Sequence, residues 1–293
     1  MTLTADDVRR RLAEAPLDAL GLDRDDRTLV DDAIARLTDA DAHVVARAAS
    51  SLLDGIGAEA ASAPDPFAGD ARLADRAGRP AGALPMLALV ATAGDVVAWH
   101  RGNGVDAATA TSGVADLGQQ LRVHRAATGV GGLDTAGWLA TPWSGALLRH
   151  GALQVAHGRH PKLGWVRSVH IPGGAALDRA AVDASLAEAA RVGAEAFPER
   201  ATQLVHCASW MLDPWLVEAL PGTRLAAFAA RWDRLPATSD DDGADDALWF
   251  VWGRRPPWPA RSALPRDTAL RRALADRLAA GGRPVVREGV LAR

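Results

Sequence analysis

The sequence predicts an α+β fold: a mainly helical front region followed by a mixed or antiparallel sheet flanked by helices. Three observations carry this. Apolar residues recur at helical spacing through the first 53 residues, short β-prone segments punctuated by Gly, Pro and His begin near residue 138, and a strand-loop-helix unit spans Trp165 to Phe197. With 293 residues the chain exceeds the ~100–200 typical of one domain, so two domains are expected.

In the front region, Thr4 can cap a short helix over residues 4–14, with acids in its first turn and Val8 and Leu12 four apart. A second helical pattern runs from Asp25 to Leu37, and a third from Asp39 to Leu53, stopping before Gly55 and Gly57. Residues 58–85 turn to Ala, Gly, Pro, Asp and Arg, including Pro64, Pro66, Pro80 and Pro85, so a long loop is expected with at most one helical turn around Phe67–Arg76. Leu84–Val90 is apolar and Val96–His100 is β-prone. Thr111–Ala127 then reads as a helix, and the domain boundary is placed near residue 113.

Strands are expected at Trp138–Trp143, Gly145–Arg149, Leu153–His157 and Trp165–Ile171. A helix from Asp178 to Phe197 follows, N-capped by Asp178, with Val182, Leu186, Ala189, Val192 and Ala196 on its apolar face. Next come a strand at Gln203–His206, a short helix at Pro214–Leu220, a strand at Arg224–Arg234, an acidic loop at Ser239–Asp246, a strand at Ala247–Gly253 and a last helix at Thr268–Ala280. The boundaries are therefore 1–113 for a mainly helical domain and 114–293 for the sheet domain.

The net charge of −3 is uneven. Residues 1–113 hold 11 Arg against 18 acids, whereas residues 114–293 hold 22 basic against 18 acidic residues. The second half is the better host for an anionic ligand, but +4 spread over it is not the basic stripe of a nucleic-acid binder. One cysteine, Cys207, permits no internal disulfide, and the N-terminus has neither the basic start nor the apolar run of a signal peptide. The expectation is a cytoplasmic protein with no membrane span.

Several landmarks occur in order: Trp99-His-Arg-Gly, Asp116-Leu-Gly, Gly137-Trp-Leu, Gly151-Ala-Leu-Gln, His170-Ile-Pro-Gly-Gly, Asp183-Ala-Ser-Leu, Ala196-Phe-Pro and Cys207-Ala-Ser-Trp-Met-Leu-Asp-Pro. Together they resemble a bacterial family that pairs an N-terminal acyltransferase-associated domain with a GNAT-like C-terminal domain, over roughly residues 80–235. The resemblance implies a GNAT-like fold and transfer from acyl-CoA or acetyl-CoA as cosubstrate. The Cys207 block departs from the family's usual Cys-His-Ser-Trp, carrying Ala208 in the histidine's place and His206 before the cysteine.

Transfer from a CoA thioester needs an anion site, and a glycine turn entering a helix N-terminus supplies free N–H groups and a favourable dipole. The turn Ile171, Gly173, Gly174 and Ala175 is the candidate cofactor-binding segment; its plain alternative is a tight turn whose helix is already capped by Asp178. His170, closing a strand beside it, is the candidate general base. Cys207 and Ser209 close the next strand, where either could protonate the leaving thiolate. Regular alternation puts His206 on the opposite face from Cys207, and a lone Cys in an apolar strand is more often core. His150, His157 and His160 lack convergent spacing and a carboxylate, so no metal is expected. Arg101 and Asn103 could line an interface. Trp210, Trp215, Trp232, Trp249 and Trp252 are expected in the core.

The leading expectation is an acyltransferase acting on a small-molecule amine or hydroxyl by direct attack. The alternatives are a catalytically silent GNAT-like binding module and a transferase using Cys207 covalently. Oligomeric state is not legible.

Overall fold

Capped helices begin the chain. In the computed structural model, which describes residues 1–58, 66–68, 71–75, 78–236, 243–254 and 260–291, Thr4 and Asp23 form reciprocal capping boxes at α1 (Ala5–Ala13) and α2 (Arg24–Ala35). Thr38 caps α3 (Asp39–Gly55) by accepting from the Asp41 amide. Each cap satisfies a backbone N–H that has no intrahelical partner. The expected helices are present within two residues at each end.

Next along the chain is α4 (Ala83–Gly102). It joins the apolar run Leu84–Val90 and the β-prone Val96–His100 into one helix, which corrects the reading of the second as a strand. A helix buried on nearly every side shows no polar face, so the 3.6-residue period is absent and propensity is overridden by packing. Among the described residues α4 is the helix long and apolar enough to cross a membrane by length and composition, and most of it is buried inside the structure.

The expected single helix over 111–127 is two, α5 (Ala107–Ser112) and α6 (Asp116–Thr128), broken at Gly113. There a Cβ would lie 2.8 Å from the Leu147 carbonyl, so only glycine fits. The segment expected as a strand at Trp138–Trp143 is α7 (Ala136–Trp143). Its buried residues, Leu139, Pro142 and Trp143, follow helical spacing, and the Trp143 indole donates to the Leu89 carbonyl at 3.0 Å. Among its described residues the expected loop at 58–85 contains one 3-10 turn, Ala71–Leu73, and it ends at α4, whose first turn takes Pro85; Pro64 and Arg76 lie outside the described residues.

The remaining elements are β1 (Leu147–His150), β2 (Leu153–His160), β3 (Gly164–His170), α8 (Arg179–Ala196), β4 (Val205–Ser209), α9 (Pro214–Ala219), α10 (Arg224–Ala229), β5 (Asp233–Arg234), α11 (Ala244–Trp252), α12 (Ala269–Ala279) and β6 (Arg287–Leu291). The sheet order is β1-β2-β3-β4-β6-β5. β3 runs parallel to β4, and β6 runs antiparallel to both β4 and β5. A mixed sheet with helices and a helical front is the α+β fold the sequence predicts.

Two further expected strands are wholly or partly helical. Arg224–Arg234 resolves into α10, capped by Thr223, plus the two residues of β5. Ala247–Gly253 lies in α11, which buries Ala244, Ala247, Leu248 and Trp252 at helical intervals and ends on left-handed Gly253. Short apolar runs do not distinguish buried helix from buried strand. Asp245 and Asp246 sit in the first turn of α11, while residues 239–242 of the expected acidic loop lie outside the described residues.

Two compact units emerge: Met1–Arg149 with His157–Arg159 and Val192–Glu199, and His150–Ala156 with His160–Arg191 and Arg200–Arg293. The first is built on the packing of α4 with α1, α3 and α7. The second has its main core between α8 and the sheet, where Val182, Leu186 and Ala189 meet Leu153, Val155, Val169, Val205 and Cys207, with Phe228 and Trp232. Fully burying one such aliphatic side chain contributes about 1.5–3 kcal/mol. Trp210, Trp232, Trp249 and Trp252 are buried as expected, and Trp215 is partly so.

Candidate functional site

Side chains alternate along a strand, so β3 and β4 divide their residues between two faces. Registered pairs Arg167↔Val205 and Ser168↔His206 place Ser168 and His170 on the face of His206, and Arg167 and Val169 on the face of Val205 and Cys207. The pairing with β6 extends this division, since Ala208 opposes Glu288 and Cys207 opposes Gly289. One face is therefore the apolar core under α8. The other carries Ser168, His170, His206 and Glu288.

Past Ser168↔His206, β3 runs on to His170 and β4 to Ser209 with no further registered pair among the described residues. The two parallel strands part at their C-terminal ends, while β4 stays in register with β6 from Val205 to Ser209. Where strands part, amide groups turn to the gap instead of a neighbour, a source of donors for a polarised carbonyl. His170 stands at this opening.

His170 is partly buried, and desolvation first, then the proximity of His206, pushes its pKa down to about 4. It is a neutral imidazole at physiological pH. His206 is 5% exposed and is also shifted down, by burial first and His160 second, with Glu288 opposing. Its Nδ1 lies 3.3 Å from the Ser168 hydroxyl. The His160 and His206 ring centroids are 4.9 Å apart, and His160 Nε2 is 3.4 Å from a Glu288 carboxylate oxygen.

The other expected residues are placed differently. Cys207 is fully buried on the core face, and burial pushes its thiol up to about 12, so it stays protonated and is no nucleophile there. Ser209 caps the turn Trp210–Leu212 by accepting from the Met211 amide. Ile171 packs against the α8 core. Gly173, Gly174 and Ala175 form a turn closed by Ala175 N–H donating to Pro172 at 3.1 Å, with Gly174 at φ 76° as a type II turn requires. The space beside both glycines is open. Asp178 takes the Ala181 amide at 3.0 Å, so one of the helix's anion-binding donors is occupied.

Arg101 donates to the Val105 carbonyl and Asn103 to the Trp99 carbonyl, both closing the end of α4. His150 and His157 are buried, and His157 lies against Phe197. The groups that do converge on His160 are His206 and Glu288. Sequence reasoning passed over Glu288 because it read nothing beyond the last helix, although Val285, Val286, Val290 and Leu291 are a β-prone signal.

Residues 137–291 match the family described as a GNAT-like C-terminal domain, and residues 12–145 match the one described as an N-acyltransferase N-terminal domain. Comparison with curated proteins found no match. Among solved structures, an acyltransferase in complex with decanoyl-CoA is 22% identical with a TM-score of 0.80, covering 99% of this chain and 99% of that one. An acyltransferase in complex with decanoyl-CoA and teicoplanin is 24% identical with a TM-score of 0.76, covering 98% of this chain and 87% of that one. An acyltransferase mutant with octanoyl-CoA is 23% identical with a TM-score of 0.77, at the same coverage. The likeness to these structures is one of fold.

Proposed function

We propose, from the premise that the chain belongs to the GNAT-like family and is an acyltransferase, that it moves an acyl group from an acyl-CoA thioester to an amine or hydroxyl of a small molecule. The observation that carries this reading is the parting of β3 and β4 with His170 at the opening. The acyl-CoA complexes of the similar structures support the donor, and their decanoyl and octanoyl chains support a medium-length acyl group. One of those structures holds teicoplanin, which supports an acceptor of that size.

The reaction is direct attack. The acceptor's nitrogen or oxygen bonds to the thioester carbonyl carbon, and amides at the parted strand ends stabilise the charge that develops on the carbonyl oxygen. His170, neutral because it is buried, takes the acceptor's proton. A base with so low a pKa is weak against a free ammonium; an amine that has added to a carbonyl is more acidic, which narrows the gap to the imidazole. The open turn Ile171–Ala175 at the start of α8 is proposed to lie along the CoA phosphates. Use of the CoA pool fits a cytoplasmic enzyme.

Incubation with decanoyl-CoA and a mixture of primary amines, followed by free-thiol detection, tests the reading. Release of thiol with acylated amine is expected, together with a higher Tm in decanoyl-CoA, since ligand at ~100 times its Kd adds about 2.7 kcal/mol of stability. No thiol and no shift with any acyl-CoA overturns it.

A further inference from the structure

The polar face of the sheet holds two groups that the transfer described above does not use, His160 at the end of β2 and Glu288 on β6. The Lys162 amide donates to His160 Nδ1 at 3.2 Å, so the ring's own proton sits on Nε2. That N–H faces the Glu288 carboxylate at 3.4 Å. On its other side, the His160 ring lies 4.9 Å from the His206 ring at a tilt of 45°.

His206 is nine-tenths buried, and its Nε2 has no hydrogen-bond partner. A native protein rarely leaves such a group unsatisfied without a functional reason. A buried imidazole also resists taking a proton unless a counter-charge faces it. The titratable groups facing His206 are His160 from β2, His170 from β3 and Glu288 from β6, and Glu288 is the one carboxylate among them.

We propose that Glu288, acting through His160, is a positioning residue that holds His206 beside His170 and balances the positive charge that develops when His170 takes the acceptor's proton. This rests on the acyl-transfer reading above. The step balances: as the acceptor's N–C or O–C bond forms, its proton passes to His170. As the carbon–sulfur bond breaks, its electron pair goes to sulfur and the proton returns there as CoA thiol.

The same three groups are spaced closely enough to suggest a metal, with their ligand atoms within 4.8 Å of one another. The tautomer argues otherwise. A metal would need the lone pair of His160 Nε2 and a proton on Nδ1, where the Lys162 N–H already points.

The test uses the full-length protein and two readouts. Titration of the His206 ring by NMR in wild type and Glu288→Gln should show the midpoint moving to lower pH in the variant, because a neutral amide no longer favours the imidazolium. With decanoyl-CoA and an accepted amine, kcat in Glu288→Gln should fall about tenfold, at the low end of what proton-transfer groups contribute, with KM within about twofold. Glu288→Asp should recover part of both effects, and His160→Gln should lose the coupling between Glu288 and the ring.

An unmoved midpoint in folded Glu288→Gln overturns the proposal, as does unchanged kcat. Binding of one Zn²⁺ per chain, lost in Glu288→Gln, overturns it in favour of a metal site. If the wild type releases no thiol, the acyl-transfer reading falls by itself, and the NMR midpoint still decides whether Glu288 governs His206.

Discussion

The two faces of β4 differ sharply in chemistry. Val205 and Cys207 are fully buried beneath α8, and Gly289 opposite leaves room for Trp232 and Leu212, whose atoms would lie 2.9 Å and 3.2 Å from a Cβ there. One residue along, His206 shares its face with Ser168, His170, His160 and Glu288. The backbone is the same and only the parity of the residue number changes. A cysteine and a histidine adjacent in sequence thus acquire opposite chemistry, the thiol locked in its protonated form and the imidazole kept unprotonated, each by burial. Desolvation penalises whichever form is charged, so it disables a thiol as nucleophile and leaves an imidazole available as proton acceptor.

Substitutions on the two faces should separate cleanly. The largest effect is expected from His170→Ala, which should lower kcat by about 10²–10⁴-fold, or ~3–5 kcal/mol in the barrier, with Tm nearly unchanged. Steady-state rates and a thermal melt measure both, and a rate within threefold of wild type would remove His170 as the base. On the apolar face, Leu186→Ala should cost about 2–5 kcal/mol by chemical denaturation through the cavity it opens, with the rate per folded molecule retained.

Acid should strike the polar face. The unfolded chain binds a proton at a histidine near pH 6.5, whereas folded His170 does so only near 4. Between those values the unfolded state carries more protons, so stability falls as pH drops from about 6.5 to 4, by at most about 3 kcal/mol from this residue. His170→Asn should flatten the dependence in paired melts at pH 7 and 4.5. The smallest effect is expected from Cys207→Ala, about 1 kcal/mol of stability with full activity, and loss of thiol release in that variant would restore a covalent role for Cys207.

How much of this was legible follows from the range of the interactions involved. The capped front helices, α8 and the terminal helix α12 could be read because caps and 3.6-residue spacing are local. α4, α10 and α11 were misread because they are short of polar residues on any side or too brief to show a period. The place of His170 between a strand and a glycine turn was readable from local pattern, and alternation separated His206 from Cys207. Glu288 was not, because it reaches the site by a pairing of β6 with β4 across more than 70 residues of chain, and no local pattern encodes a strand's partner.

Arg167 carries a last consequence. Buried on β3 at the final registered pairs, its guanidinium donates to the Leu186 carbonyl of α8 and the Gln203 carbonyl just before β4, both at 3.2 Å. One planar, permanently charged group thereby ties helix, strand and incoming chain together at the point from which β3 and β4 diverge. The opening is braced from behind like a wedge held at its apex. The divergence of the two strands is thereby fixed by a buried charged group, and the ordering of this region is completed during folding.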